Sequence, residues 1–174
     1  MTDIREWLGG THRALRRDGA SASSGSVLIR RRYDESIDEI WSACVTPARL
    51  ARWFGDVRGE TSTGGTVQVD IGEQALLTCR ILRCEPPREL LVTWAYGAMP
   101  EDRVSLRLAP EGYGTLLELE HFSAQAVAFA EAGGAGWEDW LFRLAIMLRG
   151  GDGRAPSSDD IQPPLLERWA AAVR

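Results

Sequence analysis

Apolar residues recur at every second position through the middle of this chain and at every third or fourth position after it. That one change of period confines the fold. Val67, Val69 and Ile71 alternate with Gln68 and Asp70, and Val104, Leu106 and Leu108 alternate with Arg103, Ser105 and Arg107. Thr115, Leu117, Leu119 and His121 share a face opposite Leu116, Glu118, Glu120 and Phe122. A period of two belongs to strands with one dry face. Leu76 to Cys84 and Leu90 to Tyr96 read as strands on either side of Pro86-Pro87; Gly64-Gly65 and Glu111 to Gly114 read as turns. Trp137, Trp140, Leu141, Leu144, Met147 and Leu148 then form the broad apolar stripe of one long helix, ended by Gly150, Gly151 and Gly153. A run of strands followed by one helix is an α+β order. The helix belongs across the apolar face of a curved antiparallel sheet, and a straight helix on a concave sheet tends to leave a void where a small ligand fits.

Upstream, Val27 to Tyr33 alternates as a strand. Ser36 followed by Glu39 is a capping box that opens a helix through Ile37, Ile40, Trp41 and Cys44. Thr46-Pro47 starts a second short helix that ends by Gly55. At the N-terminus, Asp3 can cap an amphipathic helix carrying Ile4, Trp7, Leu8 and Leu15, which makes residues 1–17 a helical appendage. DGASASSGS, residues 18–26, reads as a linker to a domain spanning 27–149. Residues 150–163 read as a loop, and Pro164 to Val173 as a last short helix with Leu165, Leu166 and Trp169 inward. Left uncovered, Trp7 beside Leu8 would be a sticky patch. The reading therefore favours docking on the domain, with a homodimer formed through this helix as the alternative.

Composition narrows the chemistry. All 20 basic residues are Arg, which removes lysine Schiff-base and P-loop phosphate chemistry. The net charge of −5 opposes nucleic-acid binding, and Arg30, Arg31 and Arg32 would alternate between the faces of a strand. No run of about 20 apolar residues predicts membrane insertion, and MTDIREWLGG lacks the apolar core of a signal peptide. Cys44, Cys79 and Cys84 are odd in number, as suits free thiols in a reducing cytoplasm. A Cys-x4-Cys pair with two His elsewhere is a poor zinc set, so neither a metal nor a cofactor is expected.

The stretch Asp34 to Asp56 resembles the opening of the START-like, helix-grip (SRPBCC) superfamily, and within it the branch related to the activator of the heat-shock-protein ATPase. The resemblance rests on Ile40-Trp41, on Thr46-Pro47-Ala48-Arg49-Leu50-Ala51-Arg52-Trp53-Phe54 and on Gly64-Gly65. It continues through Pro86-Pro87, Thr93-Trp94, Gly114-Thr115, His121-Phe122 and Gly136-Trp137, covering about residues 27–149. It implies a helix-grip fold: a curved antiparallel sheet of six or seven strands around a long C-terminal helix, with two short helices after the first strand. It also implies an apolar cavity, and in the superfamily's catalytic members a cyclase or aromatase activity needing only a shaped cavity and one or two acid–base groups. Its name suggests chaperone ATPase regulation, although the additional chaperone-binding domain of such activators has no counterpart in the first 25 or so residues.

Within that fold the lining is expected from Trp53, Val69, Ile81, Trp94, Val104, Leu106, Leu119, Trp137, Trp140, Leu141 and Leu144, with Trp41 in the core. His121 ends its strand on the apolar side. It is either a polar anchor or acid–base group in the cavity, assisted by Tyr96 or Asp102, or a histidine satisfied by backbone. Arg31 either meets an anionic ligand or pairs with an internal acid. Glu118, Glu120, Glu138 and Asp139 are expected at the surface, and the loops 97–102, 124–135 and 150–163 at the cavity rim. The expected activity is the binding of a small hydrophobic or aromatic, lipid-like or polyketide-like molecule.

Overall fold

The structure, a computed structural model, describes residues 3–72 and 76–174. Helix α1 (Ile4–Gly9) leads into strands β1 (Thr11–Arg17) and β2 (Gly25–Tyr33), then helices α2 (Ile37–Val45) and α3 (Pro47–Leu50). Strands β3 (Asp56–Gly59), β4 (Thr66–Asp70), β5 (Leu77–Glu85), β6 (Glu89–Tyr96), β7 (Asp102–Glu111) and β8 (Gly114–Ser123) follow, and then helices α4 (Ala126–Leu148) and α5 (Ser158–Ala172). The strands form one antiparallel sheet in the order β1-β2-β8-β7-β6-β5-β4-β3. This is the helix-grip architecture, with β1 and the four-residue β3 raising the count to eight strands.

The local signals act as read. The Ser36 side chain accepts from the Glu39 N–H at the start of α2, and Pro47 sits in the first turn of α3. On the outer face, charges of opposite sign face each other across neighbouring strands. Arg30 lies opposite Glu118, Glu118 opposite Arg107, and Arg107 opposite Glu89. Arg30 Nε donates to Glu118 at 2.6 Å and Arg83 reaches Glu89 at 3.2 Å. Burial raises the Glu118 pKa, but the hydrogen bonds and charges of Arg30 and Arg107 outweigh it and hold the carboxyl below its usual range.

Five expectations are corrected. Residues 1–17 are not one helix: α1 stops at Gly10, where consecutive glycines remove the propensity to continue, and residues 11–17 pair in register with residues 25–31. Gly25 and Ser26, read as linker, already belong to β2. Residues 126–135, expected within the rim loop 124–135, are the first turns of α4. A Cβ at Gly133 would fall within the Phe129 ring and one at Gly134 within the Trp169 indole, so these glycines serve close packing and not a turn. Helix α5 starts at Ser158, six residues before Pro164, with the Ser157 side chain accepting from the Asp159 N–H.

The fifth correction concerns charge. Glu120, Glu138 and Asp139 are buried. Glu120 accepts from Ser26 Oγ at 2.6 Å and from Arg16, which β1 brings alongside. Glu138 is fully buried and accepts from Arg13 Nε at 2.7 Å, Trp7 Nε1 at 2.9 Å and Trp169 Nε1 at 3.0 Å. Asp139 takes Arg143 Nε at 2.7 Å, and Arg143 reaches on to the Gly153 carbonyl at 3.1 Å. The tryptophan-bearing ends of the chain thus converge on one carboxylate of α4, and Trp7 is docked inward.

Candidate functional site

Helix α4 lies against β2 and β1, on one half of the inner face of the sheet. Tyr33 at the end of β2 fixes it by donating to the Leu141 carbonyl at 2.9 Å. The inner faces of β4 and β5 carry a separate small apolar cluster of Val67, Val69, Leu77 and Cys79. Between the two halves the sheet curves away from the helix, and the space divides in two.

The inner chamber measures about 150 Å³. Nine of the expected lining residues border it: Trp53, Val69, Ile81, Trp94, Val104, Leu106, Leu119, Trp137 and Leu141. All three cysteines border it as well. Burial pushes the Cys44 and Cys79 thiols up to about 12, so they serve as apolar lining and not as nucleophiles at neutral pH. Trp53 is fixed by donating its indole N–H to the Ala43 carbonyl at 3.1 Å.

The outer cleft, about 450 Å³, opens between α4 and the segment joining β6 to β7. Trp94, Tyr96, Met99, Phe129, Trp137 and Trp140 wall it, and Asp102 and His121 stand at one corner. Trp94 and Trp137 border both spaces. Phe54 completes the partition, stacked parallel to Trp137 with centroids 6.4 Å apart and edge-on to Trp140 at 4.8 Å. Trp94 and Trp137 are 4.6 Å apart. Beyond Trp140 and Gln162 the cleft runs on into a polar recess of about 570 Å³ bordered by Asp56, Asp70, Asp139, Arg143 and Arg154.

His121 is held from both sides. The Trp137 indole N–H lies 2.9 Å from His121 Nδ1, and indole can only donate, so Nδ1 is the acceptor. The proton of the neutral ring is therefore on Nε2, which donates to Asp102 Oδ2 at 3.1 Å. Burial lowers the His121 pKa; the charge and hydrogen bond of Asp102 push it up but do not compensate. With both nitrogens engaged, the ring has no free lone pair for a substrate proton. It orients Trp137 instead. The partners are side chains of α4 and β7, in place of the backbone partner considered from the sequence.

Two expected lining residues are elsewhere. Leu144 is fully buried core and Arg31 points to the chain's N-terminus. Arg31 stacks 4.1 Å from the Trp7 ring centroid and donates to the Trp7 carbonyl and to Thr11 Oγ1. Its internal partner is a ring and a carbonyl in place of an acid. Phe54 and Phe129 were not foreseen as lining. Phe54 was visible as the last residue of the Trp53-Phe54 motif; Phe129 lay in the segment mistaken for a loop.

The sequence pattern of the family described as activator of Hsp90 ATPase homolog 1-like protein matches residues 34–149. The chain belongs to that family. Among solved structures of this fold, CalU16 from Micromonospora echinospora is 42% identical, with a TM-score of 0.78, covering 94% of this chain and 98% of that one. DynU16, described as a protein of the dynemicin biosynthetic locus, is 29% identical with a TM-score of 0.70. The match covers 74% of this chain and 49% of DynU16, so this chain spans about half its length. The Aha1 dimer of Colwellia psychrerythraea, 18% identical with a TM-score of 0.63, covers 71% of this chain and 95% of that one and shares the fold. No curated protein matches the sequence. Among the described residues, no helix of this family member is long and apolar enough to cross a membrane.

Proposed function

We propose that this protein binds a small, largely apolar aromatic molecule in the outer cleft, against Trp94, Trp137 and Trp140. The observation that carries this reading is Gly136. It lies inside α4, where glycine costs about 1 kcal/mol relative to alanine, yet a Cβ there would meet nothing within 4 Å. Packing gives no reason for glycine at this position. It borders both the outer cleft and the polar recess, and its missing side chain keeps their floor open.

Size supports the choice of chamber. Pockets for drug-sized ligands run from about 300 to 1,000 Å³, a range that takes in the 450 Å³ outer cleft. The inner chamber at 150 Å³ is of the size that elsewhere admits benzene or xenon. The locus of DynU16 supports a ligand from small-molecule biosynthesis. A cytoplasmic setting accords with the three free thiols.

Titration with 2-naphthylmethanol, followed by the indole N–H resonances and by thermal shift, tests the reading. Saturable binding that is weakened at least tenfold by Trp140→Ala and by Gly136→Leu is expected. No saturation, or equal binding by both variants, overturns it.

Turnover is the alternative, favoured by the His121–Asp102 pair. It requires the Trp137 indole to swing off Nδ1 before His121 can act as acid–base, and a found substrate turned over at the same rate by His121→Ala would dismiss it. Chaperone regulation, suggested by the family description, is separated from both by a pull-down with the host chaperone.

A further inference from the structure

We infer that the outer cleft selects a cationic ligand, an apolar aromatic molecule bearing a protonated amine or quaternary ammonium, and that Asp102 is the residue that selects it. The inference rests on the cleft being a binding site, as proposed above.

Among the described residues bordering the cleft, Asp102 and His121 are the only titratable groups besides the Tyr96 phenol. Burial keeps His121 on the neutral side of its ordinary range. It donates one hydrogen bond to Asp102 Oδ2 and supplies no charge. No Arg among the described residues comes within ion-pair distance of Asp102, although its side chain is only 18% exposed. This contrasts with the buried carboxylates Glu138, Asp139 and Glu120 and with Glu118 on the outer face, each of which holds an Arg. The arginines near the cleft and near Asp102 are directed elsewhere: Arg143 is committed to Asp139, Arg154 faces Asp56, and, in the recess that Asp102 borders with Arg16, Arg17 and Arg103, Arg16 reaches Glu120 and Arg17 donates to the Ala22 carbonyl.

A mostly buried carboxylate without a counter-charge is costly, and the cost is relieved when a cation arrives. The walls act in the same direction. Trp94, Phe129, Trp137 and Trp140 surround the cleft with four aromatic rings, and the negative quadrupole of an aromatic face attracts ammonium groups and disfavours anions. One unpaired carboxylate at the end of an aromatic cleft is the complement of an amine on an aromatic body. Oδ2 is already engaged by His121, which leaves Oδ1 for the ligand.

Three probes of one shape decide it: 2-naphthylmethylammonium, 2-naphthylmethanol and 2-naphthoate, titrated calorimetrically into the full-length protein. The ammonium is expected to bind at least tenfold more tightly than the alcohol, with the naphthoate weakest. Asp102→Asn, which can still accept from His121, is expected to reduce the preference for the ammonium over the alcohol below threefold. The wild-type preference is also expected to narrow as salt is raised, because Asp102 is partly solvated; this measurement stands even if the variant fails to fold. Alcohol and ammonium bound equally, or a preference that survives in Asp102→Asn, overturns the inference and leaves the cleft standing. Saturation by none of the three probes overturns both.

Discussion

Glu138 shows how much one buried side chain can decide. Its two oxygens serve an arginine of β1 and the indoles of Trp7 and Trp169, groups far apart in sequence. Replacing a partner of a buried ion pair leaves the other charge uncompensated, at a cost of about 3–5 kcal/mol. Glu138→Gln keeps the shape and one acceptor, and strands the Arg13 guanidinium. We expect a loss of about 3 kcal/mol in urea-induced unfolding, and a loss below 1 kcal/mol would mean that Arg13 finds water instead. His121 carries a second prediction at this scale. Burial lowers its folded pKa from 6.5, against the opposing effect of Asp102, the one charged neighbour of the ring among the described residues. Below pH 6.5 the unfolded chain takes up a proton that the folded ring resists, so stability falls as pH falls through that window, by at most about 1.4 kcal/mol per pH unit. His121→Gln should flatten the slope of unfolding free energy between pH 6.5 and pH 5; an unchanged slope would assign it to other groups.

At the scale of elements, α4 is the instructive case. Two of its glycines lie two residues apart and do opposite things. Gly134 lets the Trp169 indole lie on the helix, and Gly136 faces open space. Gly134→Ala should overpack the α4–α5 contact and cost about 1–3 kcal/mol. Gly136→Ala should gain about 0.5–1 kcal/mol of stability while weakening 2-naphthylmethanol binding. Thermal unfolding of the two variants side by side checks the opposed signs. The apolar stripe of Trp137, Trp140, Leu141 and Leu144 was legible because it repeats at helical spacing; eight of the nine expected residues bordering the inner chamber lie on that stripe or on the strands, and Trp53 came from the Trp53-Phe54 motif. The buried face that includes Glu138 and Asp139 was not legible. A charged residue opposite an apolar stripe looks solvent-facing until a second layer covers it, and that layer comes from α1, β1 and α5, up to 131 residues away. The same distance hid β1: Thr11 to Arg17 has weak alternation of its own and becomes a strand by pairing with β2. The partition of the void was equally invisible, since it depends on how Phe54 stacks between Trp137 and Trp140.

For the whole molecule, the family pattern covers residues 34–149, but the packing runs further. Helix α1 and strand β1 cover one flank of α4 and extend the sheet beyond β2, and α5 covers another flank. Trp7 and Trp169 are each at most 2% exposed. Removing a buried tryptophan side chain costs about 3–5 kcal/mol, and a domain of this size has only about 5–15 kcal/mol in total. A chain cut to residues 25–155 loses both tryptophans and Ile161 and Leu165 with them. Its β2 becomes an unprotected edge strand and Phe142, which packs edge-on to Trp7, is exposed. We therefore expect the full chain to unfold in one cooperative transition by calorimetry, and the truncated chain to show none, or to aggregate. If residues 25–155 melted cooperatively within a few degrees of the full chain, the terminal segments would be appendages on an autonomous domain, as the sequence alone suggests. The comparison also bears on ligand binding, because α5 contributes Gln162 to the border of the outer cleft. Loss of α5 should then weaken the naphthyl probes even in a truncated chain stabilised by other means.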